Sequence, residues 1–342
     1  MIRKALICGV SGQDGAYLAE LLLKRDYAVI GTSRDAEANS FRNLNRLGIK
    51  DQIELTSMAV VDFRSVLQVL ARFEPDEVYN LGGQSSVALS FEQPVETLES
   101  ISIGTLNLLE SIRFLNKPVR FYNAGSSECF GDTGLVSATE ETAFRPRSPY
   151  AMAKSAAFWQ VANYREAYGI YACSGILFNH DSPLRPERFV TQKIVRSAVR
   201  IARNGGGAPL RLGNMEIERD WGWAPEYVEA MWRMLQREQP EDFIIATGKT
   251  CSLRDFVAEA FEAVGLDWQD HVVSDERLYR PADIRTSHAN PEKAHRMLGW
   301  SAKVRMNDVV RQMVAFAQAE DSDTTEPPET LSESESRLES RS

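Results

Sequence analysis

"ALICGVSGQDGAYLAELLLKRDYAVIGTSR", residues 5–34, packs a strand, a glycine turn, a helix and a second strand into one short span. Gly9, Gly12 and Gly15 stand in GxxGxxG spacing between an apolar strand and an amphipathic helix. A tight turn that brings the backbone against a diphosphate needs residues without Cβ, and the helix N-terminus behind it favours an anion. The stretch therefore predicts a dinucleotide-binding βαβ unit. Many such units carry an acid for the ribose at the end of the second strand, but this one has Arg34. A guanidinium suits a 2′-phosphate and points to NADP, although Asp35 beside it would repel the same phosphate. Asp62, after the third strand, is placed to hydrogen-bond an adenine or to cap the helix beginning "FRSVLQVL", and both roles are compatible.

Outward from this unit, apolar runs at 4–9, 27–33, 53–60, 77–83, 119–126 and 171–179 read as buried strands. Between them, 15–25, 63–72, roughly 95–115 and 149–168 read as helices. Continuous apolar strands alternating with helices predict an α/β fold with a doubly wound parallel sheet of Rossmann type. Beyond residue 180 the pattern loosens into short strands and the helices 191–203, 225–237, 252–264 and 306–317. The organisation expected is a nucleotide-binding domain over 1–180, completed by later segments, and a smaller interleaved lobe over 181–318. Residues 319–342 are acidic, Ser-rich and poor in large apolar groups, and read as a disordered tail.

At 342 residues, with 43% hydrophobic and 25% charged residues, the chain has the balance of a globular enzyme. Its net charge of −9 argues against non-specific nucleic-acid binding. No apolar run reaches membrane-spanning length, and the opening "MIRKALICG" enters a strand directly rather than a signal peptide. Cys8, Cys129, Cys173 and Cys251 are far apart without CxxC spacing, which suits free thiols in a reducing cytoplasm. The His and Cys residues show no zinc-ligand spacing, so no metal is expected.

"RPRSPYAMAKSAAFWQVANYREAYG", residues 145–169, opens with Ser148 and Pro149, a cap and first-turn pair. Tyr150 and Lys154 follow as i and i+4 on one helix face. YxxxK alone is too common to mean anything; its place after a nucleotide-binding unit and a strand ending in Ser126 gives it weight. A nearby ammonium favours the phenolate, so Tyr150 is expected to serve as a base near neutral pH. "AGSSECFG", residues 124–131, adds Glu128 beside Ser126, either a solvated loop charge or a proton-transfer group.

With these motifs in view, the chain resembles the extended short-chain dehydrogenase/reductase superfamily and, within it, the GDP-mannose 4,6-dehydratase family. The resemblance rests on "GVSGQDGAYLAELLL", "EVYNLGGQSSVALSFEQP", "RFYNAGSSECFG", "FRPRSPYAMAKSAAFW", "NYREAYGIYACSGILFNHDSPLRPERFVTQKI" and "ERDWGWAPEYVEAMWRMLQ", and spans roughly 2–317. It implies a lyase that removes water from a GDP-linked sugar by internal hydride transfer through NADP. It implies catalytic roles for Ser126, Glu128, Tyr150 and Lys154, with Ser126 where the family usually has threonine. It implies cofactor contacts at Gly9, Gly12, Gln13, Asp14, Gly15, Arg34, Asp62, Leu81, Gly82, Gln84, Ser85, Lys154, His180 and Arg185. It implies nucleotide-sugar contacts at Ser86, Asn179, Lys193, Arg219 and Arg280. It further implies a homodimer through a four-helix interface formed by 95–115 and 149–168, with pairing of dimers into tetramers left open.

The sequence departs from the family pattern in three places. Arg34-Asp35 replaces the usual arginine pair, Trp223 stands where a histidine commonly follows "RDWG", and Asp283 and Arg285 replace a Glu and an Asp after "YRP". The last two changes lie near the expected nucleotide-sugar contacts and leave another GDP-linked sugar open as the substrate. An epimerase or a 4-ketosugar reductase would need the Ser-Tyr-Lys set but not Glu128.

Overall fold

The computed structural model describes residues 2–279 and 281–323. Six strands, β1 (Lys4–Cys8), β2 (Ala28–Ser33), β3 (Glu54–Ser57), β4 (Glu77–Asn80), β5 (Arg120–Ala124) and β6 (Ala172–Leu177), join Phe243–Ile245 in one sheet. Its spatial order is β3-β2-β1-β4-β5-β6 followed by Phe243–Ile245, and every pairing is parallel. The chain winds outward from β1 in one direction and then restarts at β4 in the other. This reversal leaves a crevice above the C-terminal ends of β1 and β4, where α/β sheets bind ligands.

Parallel pairing requires crossover helices, and these cover both faces. Along β1, Ala5 and Ile7 face a core shared with Leu18, Leu22, Tyr227 and Met231, while Leu6 and Cys8 face Val66, Leu70, Leu108 and Val161. The alternation explains why the central strands read as unbroken apolar runs. Ala224–Leu235, late in the chain, packs against Gln13–Leu23 and so belongs to this layer.

The helix Pro149–Tyr168 begins where Ser148 Oγ accepts the Ala151 N–H at 3.1 Å and ends at Gly169, whose φ is +66°. Over 94–115, where one helix was expected, Pro94–Leu98 and Gly104–Leu115 are joined by a π-helical turn, Glu99–Ile103. That turn places Ser100 Oγ to accept the Gln84 N–H at 3.2 Å, just beyond β4.

The run 171–179, read as one strand, divides. Phe178 N–H still donates to Ile245 O at 3.0 Å, and the chain then leaves the main sheet. Asn179–Asp181 pairs instead with Glu218–Trp223, which also holds Thr250–Ser252, giving a three-stranded sheet beside the crevice. Behind it, the helices Val190–Arg203, Leu253–Glu262 and Met306–Asp323 share a core of Ile194, Val195, Phe256, Phe261, Val310 and Met313. The last helix corrects the start of the acidic tail: residues 319–323 continue it rather than fray. Glu320 pairs there with Arg46, and its Oε2 lies 2.5 Å from Arg196 Nη2, so two cations hold the helix end. The rest of the tail, 324–342, lies outside the described residues.

Candidate active site

β5 ends at Ala124, and Gly125 and Ser126 lead into a short 3-10 turn, Ser127–Phe130. Ser126 Oγ caps this turn by accepting the Glu128 N–H at 3.3 Å. On the facing helix, Tyr150 and Lys154 are one turn apart, with Lys154 Nζ 5.9 Å from the Tyr150 ring centre. Lys154 Nζ donates to Ala124 O at 2.7 Å, tying the helix to the strand end, and Ser126 is near enough to Tyr150 to favour its phenolate. All four side chains line one cavity of about 430 Å³. Glu128 is half-buried in its wall, and among the described residues its carboxylate forms no salt bridge.

Burial bears on the expected role of Tyr150. It pushes the Tyr150 phenol well above its ordinary value; Ser126 pulls it down, while Cys129 and Glu128 push it further up. The protein alone therefore keeps Tyr150 protonated at neutral pH, because desolvation outweighs local stabilisation of the phenolate. Burial also lowers Lys154, to about 8, against the opposing pull of Cys129 and Asp14.

The glycine loop fits a dinucleotide. Gly9 has φ +80°, and a Cβ there would stand 2.9 Å from Leu81 O; one on Gly15 would stand 2.3 Å from Gly9 O. The first clash would block the loop from β4 and the second would push the helix off the strand, so both positions require glycine. Asp14, Leu81, Ser85, His180, Arg185, Ser86, Asn179, Lys193 and Arg219 all line the same cavity. Ser86 also caps the helix Val87–Glu92 by accepting the Leu89 N–H at 3.3 Å.

Other predicted residues stand apart from the cavity. Gln13 is buried and its amide is spent within the protein: Nε2 donates to Asp14 Oδ1 (2.9 Å) and His180 O (3.3 Å), and Oε1 accepts from Ser182 (2.8 Å). Gln84 folds onto its own loop, donating to Ser86 O at 2.8 Å. Gly12 continues the glycine turn, donating its N–H to Gly9 O at 3.0 Å, and Gly82 sits in the next loop against Cys8. Asp62 caps the helix Phe63–Phe73 through the Arg64 N–H at 2.9 Å. Arg34 is exposed and 3.6 Å from Glu96 Oε1. The Asp35 carboxylate turns into its own loop, accepting the Glu37 and Ala38 N–H groups, each at 3.0 Å. Arg280 lies outside the described residues.

The sequence did not single out Arg188, Asn214 or Trp221 as site residues, yet all three line the cavity. Arg188 and Trp221 belong to the "SPLRPERF" and "RDWG" segments, but nothing local distinguishes them from packing or solvated residues. Asp283, noted in the sequence only as a departure, lines the cavity too, and its Oδ1 lies 3.8 Å from Arg219 Nη2.

A loop built for a dinucleotide, a Ser-Tyr-Lys set and a carboxylate in one wall define a narrow class, and comparison identifies it. The family model described as GDP-mannose 4,6 dehydratase matches residues 6–313. The Arabidopsis thaliana protein "GDP-mannose 4,6 dehydratase 1" is 45% identical over 320 residues, covering 91% of this chain and 88% of its own length. The chain belongs to the GDP-mannose 4,6-dehydratase family.

The fold of this family member is shared with more distant proteins. The Thermus thermophilus UDP-glucose 4-epimerase in complex with NAD superposes with a TM-score of 0.81 at 24% identity, covering 92% of this chain and 99% of that one. RMD from Pseudomonas aeruginosa complexed with NADPH gives 0.76 at 20% identity, covering 94% and 99%. At that identity the likeness concerns the fold alone. Among the described residues no helix is long and apolar enough to cross a membrane, and no cluster of His, Cys, Asp or Glu is placed to hold a metal.

Proposed function

We propose that this GDP-mannose 4,6-dehydratase family member converts GDP-mannose to GDP-4-keto-6-deoxymannose and water, using tightly bound NADP. The observation that carries the reading is Glu128, two residues beyond Ser126 and in the same cavity wall as Tyr150. A bound nicotinamide would supply the acceptor for the C4 hydride and the donor of the same hydride at C6. The chain's own residues handle protons and orientation. Tyr150 removes the proton from O4, Ser126 hydrogen-bonds that oxygen, and Lys154 stabilises the developing phenolate. Because burial holds the Tyr150 phenol high, its deprotonation depends on positive charge close by. The C4 ketone acidifies C5–H. Glu128 then takes the C5 proton and delivers a proton to the C6 hydroxyl, which leaves as water. With hydride return to C6, C5 regains a proton, balanced by the one Tyr150 took from O4.

Arg34 is assigned to the 2′-phosphate of NADP. Supporting this, the Asp35 carboxylate that would oppose it is engaged with the amides of Glu37 and Ala38. Ser86, Asn179, Lys193 and Arg219, with Arg280, are assigned to the GDP-sugar. Along the helices 94–115 and 149–168, Val95 (66% exposed), Phe114 (66%) and Trp159 (62%) present apolar surface to solvent. We assign this face to a four-helix homodimer contact, and a monomer by light scattering would refute it.

The test is incubation with GDP-mannose and catalytic NADP, followed by mass measurement. Loss of one water without consumption of reduced cofactor supports the dehydratase. C4 inversion without mass change would mean an epimerase, and stoichiometric oxidation of NADPH a reductase. Glu128→Gln should abolish dehydration while leaving cofactor binding intact; unchanged turnover would sink the acid/base role.

A further inference from the structure

The glycine-loop helix and the strand that leaves the main sheet meet through a pair of titratable side chains. Asp14 is the second residue of Gln13–Leu23, where a helix N-terminus stabilises negative charge. Its Oδ2 lies 2.9 Å from His180 Nε2, and its Oδ1 accepts from Gln13 at 2.9 Å. The other ring nitrogen of His180, Nδ1, lies 2.7 Å from Phe178 O. A carbonyl and a carboxylate are both acceptors. A neutral imidazole has a single N–H and satisfies only one of them, whereas an imidazolium satisfies both. The ring is buried and stacks on Tyr227 with centroids 4.5 Å apart.

We propose that His180 is held as an imidazolium and acts as a positioning residue that neutralises Asp14, leaving the glycine-loop helix free to accept a second anion, the cofactor diphosphate. This rests on reading the loop as the dinucleotide site. Asp14 already places one negative charge at the helix end that the diphosphate needs. The His180 charge removes that conflict without moving the helix.

The surrounding groups agree with this charge state. Although burial works against ionisation of both partners, Asp14 is lowered to about 2 and His180 is raised, each by the other. Arg185 opposes the second proton on His180 and is itself 3.3 Å from Asp181. Lys154, from the helix Pro149–Tyr168, is drawn up by Asp14. Tyr17, Tyr122 and Tyr227 are all pushed upward by burial and stay neutral. The same two segments are also joined by neutral bonds, Ser182 to Gln13 and Gln13 to His180 O. Loss of the His180 proton would therefore change the charge at the loop more than its geometry.

The experiment is an NMR titration of His180 in the holoenzyme and in cofactor-stripped protein, paired with NADP affinity against pH. The expected midpoint lies above the ordinary histidine value of ~6.5 in both forms. NADP affinity should weaken above that midpoint by up to about tenfold per pH unit, the slope for one released proton. Asp14→Asn should lower the midpoint and flatten the affinity profile, a change that a merely structural hydrogen bond would not produce. His180 titrating at or below ~6.5 in wild-type protein overturns the proposal, and that measurement needs no variant. An affinity profile equally steep in Asp14→Asn would also overturn it. If the stripped protein prefers NAD, or acts on another sugar, the cofactor or substrate reading fails while the His180 midpoint still decides this one.

Discussion

The inner end of the cavity is here the part carried by the main sheet, where Ser126, Glu128, Tyr150 and Lys154 come from two segments: the end of β5 with its capped turn, and one helix face. The outer end is the part carried by the smaller lobe, where Asn179, Arg188, Lys193 and Arg219 come from a strand that has left the main sheet, the loop after it, a helix and a second short strand. The inner groups are fixed by the rigid parallel sheet and joined directly, Lys154 to Ala124 O at 2.7 Å. The outer cations are steadied by their own lobe: Lys193 donates to Arg211 O at 2.8 Å, and Arg219 donates to Glu218 O at 2.9 Å. The difference fits the division of labour proposed above, with chemistry assigned to the stiff sheet and nucleotide capture to the lobe.

Changes at the two ends should therefore have different kinetic signatures. Tyr150→Phe is expected to have the largest effect, cutting kcat by roughly 10²–10⁴ and removing the first hydride transfer in a single-turnover cofactor absorbance trace. Hydride transfer at a normal rate would break the assignment of the inner end. Lys193→Met should raise KM for the GDP-sugar about tenfold, as expected for a lost charged contact, with kcat little changed. Equal losses in kcat and kcat/KM would erase the proposed contrast.

A third test concerns charge at the inner end. With Lys154 near 8, its ammonium is lost as pH rises through that value, and kcat should fall on the alkaline side. Lys154→Arg keeps the charge to pH 10 and should remove that limb from whatever activity remains; an unchanged limb would assign it elsewhere. The smallest effect belongs to Asp220, buried in the strand Glu218–Trp223, where it accepts the Thr247 N–H at 3.0 Å and the Gly248 N–H at 2.7 Å. Burial raises it to about 6 despite those bonds. The folded state therefore binds this proton more tightly than the unfolded chain, and Asp220 adds stability as pH falls from 6 towards 4. The stability difference between wild type and Asp220→Asn, followed by denaturant melts, should change by about 1–3 kcal/mol across that window. A pH-independent difference would contradict the raised value.

Much of the inner end was legible because it obeys local rules. Ser148-Pro149 sets the helix start, which places Tyr150 and Lys154 on one face, and the apolar run before Ala124 places Ser126 at a strand end. Less of the outer end was legible. Arg188 and Trp221 carry no local sign of where they point, and the break at Phe178 falls within a run that reads as one strand. The upward push on Tyr150 was not legible because desolvation depends on everything packed around the ring, not on the lysine four residues away.

By itself, the sequence determined the alternation of apolar strands and amphipathic helices, the glycine loop, and the residue types available for proton transfer. These follow from short-range sterics and periodicity, which act within a few residues. Only the tertiary structure decided that His180 meets Asp14 across 166 positions, that Gln13 is consumed by the protein itself, and that Glu320 lies in a helix instead of in a tail. Those outcomes depend on which segments the sheet order brings together and on how far each charge is removed from water. Neither quantity is a property of local sequence.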